Sequence, residues 1–186
     1  MRLFVGIDIP EDITTKLGAL ITELRPAAKL RWSPPANFHI TTKFIGEWPD
    51  ERLDEMKAAL AAVSAPVFPI TVRGLGWFPN PHHPRIFWAA TKAGPELPAL
   101  ASATETAVAT LGIEKEKRAY SPHLTLARID EPVDLSELRR RIAARPGSDE
   151  FGEFQTTAFH LYLSRPGPRG SEYTKLATYA LQAQVR

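Results

Sequence analysis

The chain has 186 residues, 44% apolar and 24% charged, a length and balance that suit one soluble domain with a full core. It has no cysteine, which excludes disulfides, thiolate metal sites and cysteine nucleophiles. Its formal net charge of +2 and pI of about 9.0 permit a phosphate-bearing ligand without requiring one.

No run of eighteen apolar residues occurs, so no membrane-spanning helix is expected. The opening "MRLFVGIDIPED" has an apolar run too short, and too soon followed by acids, for a signal peptide. A cytoplasmic location is the default expectation. The 17 prolines cluster in "SPP", "FPNPHHP" and "RPGP", where they read as loop punctuation inside an ordered domain.

In chain order, "RLFVGIDI" predicts a strand and "PEDITTKLGALITELR" a helix, with Ile13, Leu17, Leu20 and Ile21 on one face. "HITTKFIG" is the next strand, "DERLDEMKAALAAVS" a helix, and "VFPITVRGLGWF" a strand. The order then repeats. "RIFWAATK" is a strand, "PELPALASATETAVATLG" a helix, and "HLTLARID" a strand. "DLSELRRRIAAR" is a helix built on Leu135, Leu138 and Ile142, and "EFQTTAFHLYLS" is a strand. "YTKLATYAL" closes the chain as a further strand, after a proline-glycine turn, "RPGPRG".

The two blocks stay in register. Arg2 to Arg85 is an offset of 83 (85 − 2), and His39 to His123 one of 84 (123 − 39). A repeat of one strand–helix unit implies two units packed against each other, since neither buries much alone. The predicted fold is α+β: bilobal, two antiparallel-rich β-sheets related by a pseudo-twofold axis, helices outside and a cleft between. Residues 1–186 read as a single domain of two duplicated, intertwined lobes.

His-x-Thr occurs twice, at equivalent places of the repeat, where five histidines placed at random predict fewer than one instance. Alternate side chains of a strand share a face. Strict alternation therefore groups His39 with Thr41 and Lys43, and His123 with Thr125 and Ala127. It sends Phe44 and Arg128 to the opposite, core-facing sides. Two imidazoles can divide the work of proton transfer, one neutral and accepting, the other charged and donating. Threonine hydroxyls can donate to an anionic oxygen and hold it. The set suits in-line attack on a tetrahedral phosphate without a metal or other cofactor. An acyl-transfer triad is not indicated, since "GxSxG" is absent and no Asp or Glu obviously buttresses either histidine.

"HITTKFIGE" and "PHLTLARI" resemble the paired His-x-Thr motifs of the two-histidine phosphoesterases. "RLFVGIDIPED", "RWSPPANFHIT", "FPNPHHPRIFWA" and "FHLYLSRPGPRGSEYTKLATY" narrow the resemblance to the RNA 2′,3′-cyclic phosphodiesterases, also called 2′-5′ RNA ligase-like proteins. The resemblance runs nearly end to end. It implies a bilobal fold with the site between the lobes. It also implies hydrolysis of a terminal 2′,3′-cyclic phosphate to a 2′-phosphomonoester without ATP or metal, and in some members the reverse 2′-5′ joining of tRNA halves. Carried over, His39 protonates the leaving 3′ oxygen, His123 activates water, and Thr41 and Thr125 hold the phosphate. Arg128 matches a basic position that touches phosphate or ribose, which needs a bulge or strand end to turn it inward. Phe44 matches an aromatic that stacks on the base, against its reading by alternation as a core residue. Thr42 departs from the aliphatic residue usual at the fourth motif position, as Leu126 has it.

The implied partner is RNA with 2′,3′-cyclic phosphate ends, or nucleoside 2′,3′-cyclic phosphates, met by a monomer with no membrane association. The same chemistry on a small cyclic nucleotide or ADP-ribose cyclic phosphate is an alternative, as is a non-catalytic module that binds RNA ends. Arg31, Lys43, Arg73, Arg85, Arg165 and Arg169 are candidates for an RNA path. Trp32, Trp77, Trp88 and Phe87 read as core or cleft wall. His82 and His83 read as an exposed loop pair rather than a metal site, and His160 as structural.

Overall fold

The computed structural model describes residues 1–145, 149–168 and 170–183. Nine strands and four α-helices, with three single-turn 3₁₀ helices between them, follow one another among them. They are β1 (Arg2–Asp8), α1 (Glu11–Leu24), β2 (Arg31–Trp32), β3 (His39–Glu47), α2 (Leu53–Ala61), β4 (Phe68–Phe78), β5 (Ile86–Ala93), α3 (Glu96–Ala109), β6 (His123–Arg128), α4 (Ser136–Ala143), β7 (Glu150–Thr156), β8 (Ala158–Gly167) and β9 (Gly170–Ala180). The strands form a four-stranded sheet in the order β3-β1-β8-β9 and a five-stranded sheet in the order β2-β6-β5-β4-β7. Every ladder is antiparallel.

The two sheets are built crosswise. β1 belongs to the four-stranded sheet, yet the apolar face of α1 that follows it (Ile13, Leu17, Leu20, Ile21, Leu24) is buried against the five-stranded sheet. β5 belongs to the five-stranded sheet, yet Leu97, Leu100 and Val108 of α3 pack with Val5, Ile40 and Leu161 of the four-stranded one. α4 joins α1, and α2 joins α3. Each sheet thus has helices on its outer face. β3 and β6 approach each other where the sheets meet. Among the described residues no helix is long and apolar enough to cross a membrane.

All four predicted helices form. The stretch "EFQTTAFHLYLS", read above as one strand, is two. It breaks at Thr157, with β7 on the edge of the five-stranded sheet and β8 inside the other. Phe151 and Phe159, both buried, sit in different cores. β2 is a two-residue edge strand too short to leave a periodic signal.

Candidate active site

His39 opens β3 and His123 opens β6. Each imidazole is held in the same way. Nδ1 of His39 lies 2.7 Å from the carbonyl oxygen of Asn37, and Nδ1 of His123 lies 2.9 Å from that of Ser121. A carbonyl oxygen only accepts, so Nδ1–H donates in both rings, and in the neutral rings both Nε2 atoms carry the lone pair. Both buttresses are backbone oxygens two residues earlier in the chain. No side-chain type announces a backbone acceptor, although Asn37 and Ser121 occupy matching places in the repeat.

Aromatic rings fix the imidazoles from the side. Phe4 lies 4.7 Å from the His39 ring and Tyr173 meets it edge-on at 5.2 Å. Phe78 meets the His123 ring edge-on at 5.0 Å and itself packs on Trp88. A Cβ at Gly6 would stand 3.0 Å from the Ile40 carbonyl oxygen and 3.5 Å from His39 Cδ2, so glycine there lets β1 pass close under the imidazole. Phe4, Tyr173 and Phe78 lie far from the motifs in sequence, where nothing local marks them.

The motif strands are not regular, and this corrects the faces drawn from strict alternation. On β1, Val5 pairs with Lys43 and Gly6 with Thr41, so Thr42 is an extra residue in β3. On β5, Phe87 pairs with Ala127 and Trp88 with Thr125, so Leu126 is an extra residue in β6. Each motif thus carries a β-bulge at its fourth position. A bulge turns two consecutive side chains to one side and reverses the parity of the residues after it. Thr42 and Lys43 both point inward, as do Leu126 and Ala127. Lys43 and Ala127 are therefore not on the histidine faces.

Phe44, placed in the core by alternation, is 65% exposed instead, and stands 6.4 Å from Phe4. Arg128 comes round to the His123 face, near enough that its charge acts on both imidazoles. Thr41 and Thr125 are half-buried beside their histidines. Thr42 does face away from the site, and its Oγ1 is buried without a hydrogen-bond partner among the described residues.

Burial is the largest influence on both histidines and pushes each below its ordinary value of 6.5. The Asn37 and Ser121 carbonyls oppose the shift, because a bond at Nδ1–H favours the imidazolium. The Arg128 guanidinium repels a proton from both rings, and His39 also feels His123. Asp8, the register partner of His39, pulls weakly the other way. Its carboxylate accepts from the Tyr162 hydroxyl and the Lys175 ammonium and lies 3.4 Å from Nε2 of His160. His160 is buried, with Nδ1 3.0 Å from Thr178 Oγ1, in keeping with its structural reading.

The other candidates separate clearly. Lys43 is buried in an ion pair with Glu105 and is no part of an RNA path. Arg73 sits in β4 at the side of the sheet away from β2 and β6. Arg31 binds the Asp130 carboxylate through Nε and Nη2, and Arg85 donates to the Asp130 carbonyl. Arg169 lies outside the described residues. Trp32 and Phe87 are core, and Trp88 is part of the wall behind Phe78. His82 and His83 are exposed, their backbone N–H groups capped by the Asn80 side chain.

The family model described as LigT-like phosphoesterase matches this chain twice, over residues 7–88 and 90–173. The chain belongs to the LigT-like phosphoesterase family. The two matches to LigT-like phosphoesterases start 83 residues apart (90 − 7), the interval of the internal repeat. An RNA 2′,3′-cyclic phosphodiesterase of Archaeoglobus fulgidus is 32% identical over 180 residues, spanning 96% of this chain and 99% of that one. One of Thermus thermophilus is 33% identical over 194 residues, spanning 99% and 92%. The crystal structure of TT0787 of Thermus thermophilus superposes with a TM-score of 0.79 at 31% identity over the whole of both chains. LigT of E. coli, solved with 3′-AMP, shares the fold, with a TM-score of 0.76 at 24% identity over 97% of both chains.

Proposed function

We propose that this phosphoesterase hydrolyses 2′,3′-cyclic phosphate ends of RNA to 2′-phosphomonoesters, with His39 and His123 as the proton-transfer pair. The names of its relatives supply the substrate class. The observation that carries the mechanism is the duplicated anchor: in both rings Nδ1–H is spent on a carbonyl, and both Nε2 atoms are left to exchange protons.

In the reaction, a water oxygen attacks phosphorus in line with the P–O3′ bond. His123 Nε2 takes the proton that the water loses. As the P–O3′ bond breaks, the Nε2–H of protonated His39 delivers a proton to O3′, leaving a 3′-hydroxyl and a 2′-phosphate. Both imidazoles are neutral in the free protein near pH 7, because their pKa values are lowered. The anionic substrate supplies the countercharge that lets one become imidazolium. Thr41 and Thr125 donate to the non-bridging oxygens, where charge accumulates in the transition state. Arg128 faces the same oxygens, and exposed Phe44 offers its ring to the base. Two imidazoles close the proton inventory, so neither ATP nor a metal is required. If the 5′-hydroxyl of a second RNA replaces water, the same steps give a 2′-5′ phosphodiester. Residues 1–186 act as one domain of two duplicated, intertwined halves, a reading supported by the repeated family match and the crossed helices.

The test is incubation with an RNA oligonucleotide ending in a 2′,3′-cyclic phosphate, with and without EDTA, and identification of the product. A 2′-phosphate is expected under both conditions, with His39→Ala and His123→Ala each losing about 10²–10⁴-fold in rate. A 3′-phosphate product would reverse the assigned geometry, and no turnover by the wild type under either condition would end the proposal.

A further inference from the structure

Residues of both sheets line a cavity that the chemistry above does not use. It is open to solvent, with a volume of about 590 Å³, and its wall includes the start of β1, the end of β3, the β8–β9 hairpin and, from the other sheet, Arg31 of β2. Arg2, Arg31 and Arg165 line it together. Such a volume is ordinary for a small-ligand site. Three guanidinium groups give its wall the planar donor geometry that suits phosphate oxygens.

The local charges sharpen the case. Glu47 and Asp50 also line the cavity, and the Met1 ammonium, 3.9 Å and 3.0 Å from their carboxylates, offsets one of these two charges, so the three guanidinium groups still outnumber the acids. Arg31 holds Asp130 with Nε and Nη2, which leaves Nη1 unused. Arg2 and Arg165 form no ion pair among the described residues, although Glu172 is the register partner of Arg165. Two uncommitted, solvent-exposed cations and a third with donors to spare therefore line one open cleft.

Position assigns the ligand. Arg31 is the cross-strand partner of Arg128 in the β2–β6 ladder. Antiparallel partners have Cα atoms about 5 Å apart. The cavity therefore begins one strand away from the arginine beside the two histidines. Resting on the reading of that site as one for RNA cyclic ends, we infer that the Arg2–Arg31–Arg165 cavity binds the phosphodiester backbone of the nucleotides preceding the cyclic terminus. The pair of histidines reads the end, and this cavity reads that the end belongs to a chain.

The experiment compares two substrates. One is a nucleoside 2′,3′-cyclic monophosphate, which cannot reach the cavity. The other is an RNA octanucleotide ending in the same cyclic nucleotide. Wild-type protein is expected to prefer the octanucleotide in kcat/KM. The Arg2→Gln/Arg165→Gln double variant is expected to raise KM for the octanucleotide about two- to thirty-fold, the range for two exposed charge contacts. Its mononucleotide kinetics should be unchanged. The slope of log(kcat/KM) against log[salt] for the octanucleotide should become shallower by about 1.4, since each single-strand phosphate contact contributes about 0.7.

Equal losses on both substrates, or an unchanged octanucleotide KM and salt slope, would overturn the inference. So would a wild type that gains nothing from the longer chain, or a double variant that loses affinity for ATP but not for the octanucleotide. Failure of the underlying reading looks different, because the wild type would then turn over neither substrate.

Discussion

The buried ion pair behind the first motif allows a magnitude to be worked out residue by residue. Lys43 follows the bulge in β3, with a side chain only 6% exposed. Its Nζ lies 2.8 Å from Glu105 Oε1 on α3 and donates to the Glu114 carbonyl at 3.0 Å. Removing one partner of a buried pair costs about 3–5 kcal/mol, because the other charge is stranded. The two truncations should nevertheless differ. Glu105→Ala leaves an ammonium that is almost fully enclosed and keeps one carbonyl, so about 3 kcal/mol is expected. Lys43→Met leaves a carboxylate that is 18% exposed, can turn toward water and still accepts from the Glu116 N–H, so about 1–2 kcal/mol is expected. At about 2–4 °C per kcal/mol for a chain of this length, Glu105→Ala should lower Tm by about 6–12 °C. Lys43→Met/Glu105→Ala should cost less than the sum of the single changes. Urea unfolding of the four proteins measures all three values. A Glu105→Ala cost below about 0.5 kcal/mol, or strict additivity in the double variant, would refute the claim that the pair is desolvated.

Two further outcomes are expected from the same geometry. Both histidines titrate below 6.5 in the free protein, so kcat/KM for a cyclic mononucleotide should be bell-shaped and centred on the acid side of 6.5. In kcat the alkaline limb should move to higher pH, since bound phosphate favours the imidazolium, and Arg128→Met should move both limbs of kcat/KM upward by removing a repelling charge; a rate rising steadily from about pH 5 to about pH 9 would contradict the paired mechanism. Thr42→Val replaces a buried hydroxyl that has no hydrogen-bond partner among the described residues, and should stabilise the fold by about 1–2 kcal/mol with kcat unchanged, as read by urea unfolding and steady-state rates.

Much of this site was legible because the chain writes it twice. One His-x-Thr in a strand is weak information, but two at the same place in a repeated strand–helix unit mark His39, Thr41, His123 and Thr125 together. The four helices were equally legible from their apolar spacing, as Ile13, Leu17, Leu20 and Ile21 show. What could not be read was parity. Period-two reasoning assumes an unbroken ladder, and the bulges at Thr42 and Leu126 break it. They bury Lys43 and Ala127, expose Phe44 and bring Arg128 to the histidines. The paired inward residues Leu126 and Ala127 were a faint sign of this; Thr42 and Lys43, both polar, gave none. The break at Thr157 was hidden for a related reason. β7 and β8 are both β-prone, and only tertiary packing sends them to separate sheets.

The paired proton transfer proposed for this site requires two things, and different parts of the molecule set them. Ring orientation is local: each Nδ1–H is held by a carbonyl two residues away, in the segment that leads into the strand. The gap between the two Nε2 atoms is not local, because it depends on how one sheet sits against the other. That relation is fixed by the crossed helices, since α1 leaves the four-stranded sheet to pack on the five-stranded one and α3 does the reverse. Neither sheet can shift without dragging a helix out of the other's core. A cavity made under α1 or α3 should therefore loosen the distance between the histidines while leaving each ring correctly aimed. The same crossing explains why a half-molecule would be a poor catalyst even if its own motif were intact: it would carry one oriented imidazole, and the helix meant to fix the second sheet would have nothing to pack against.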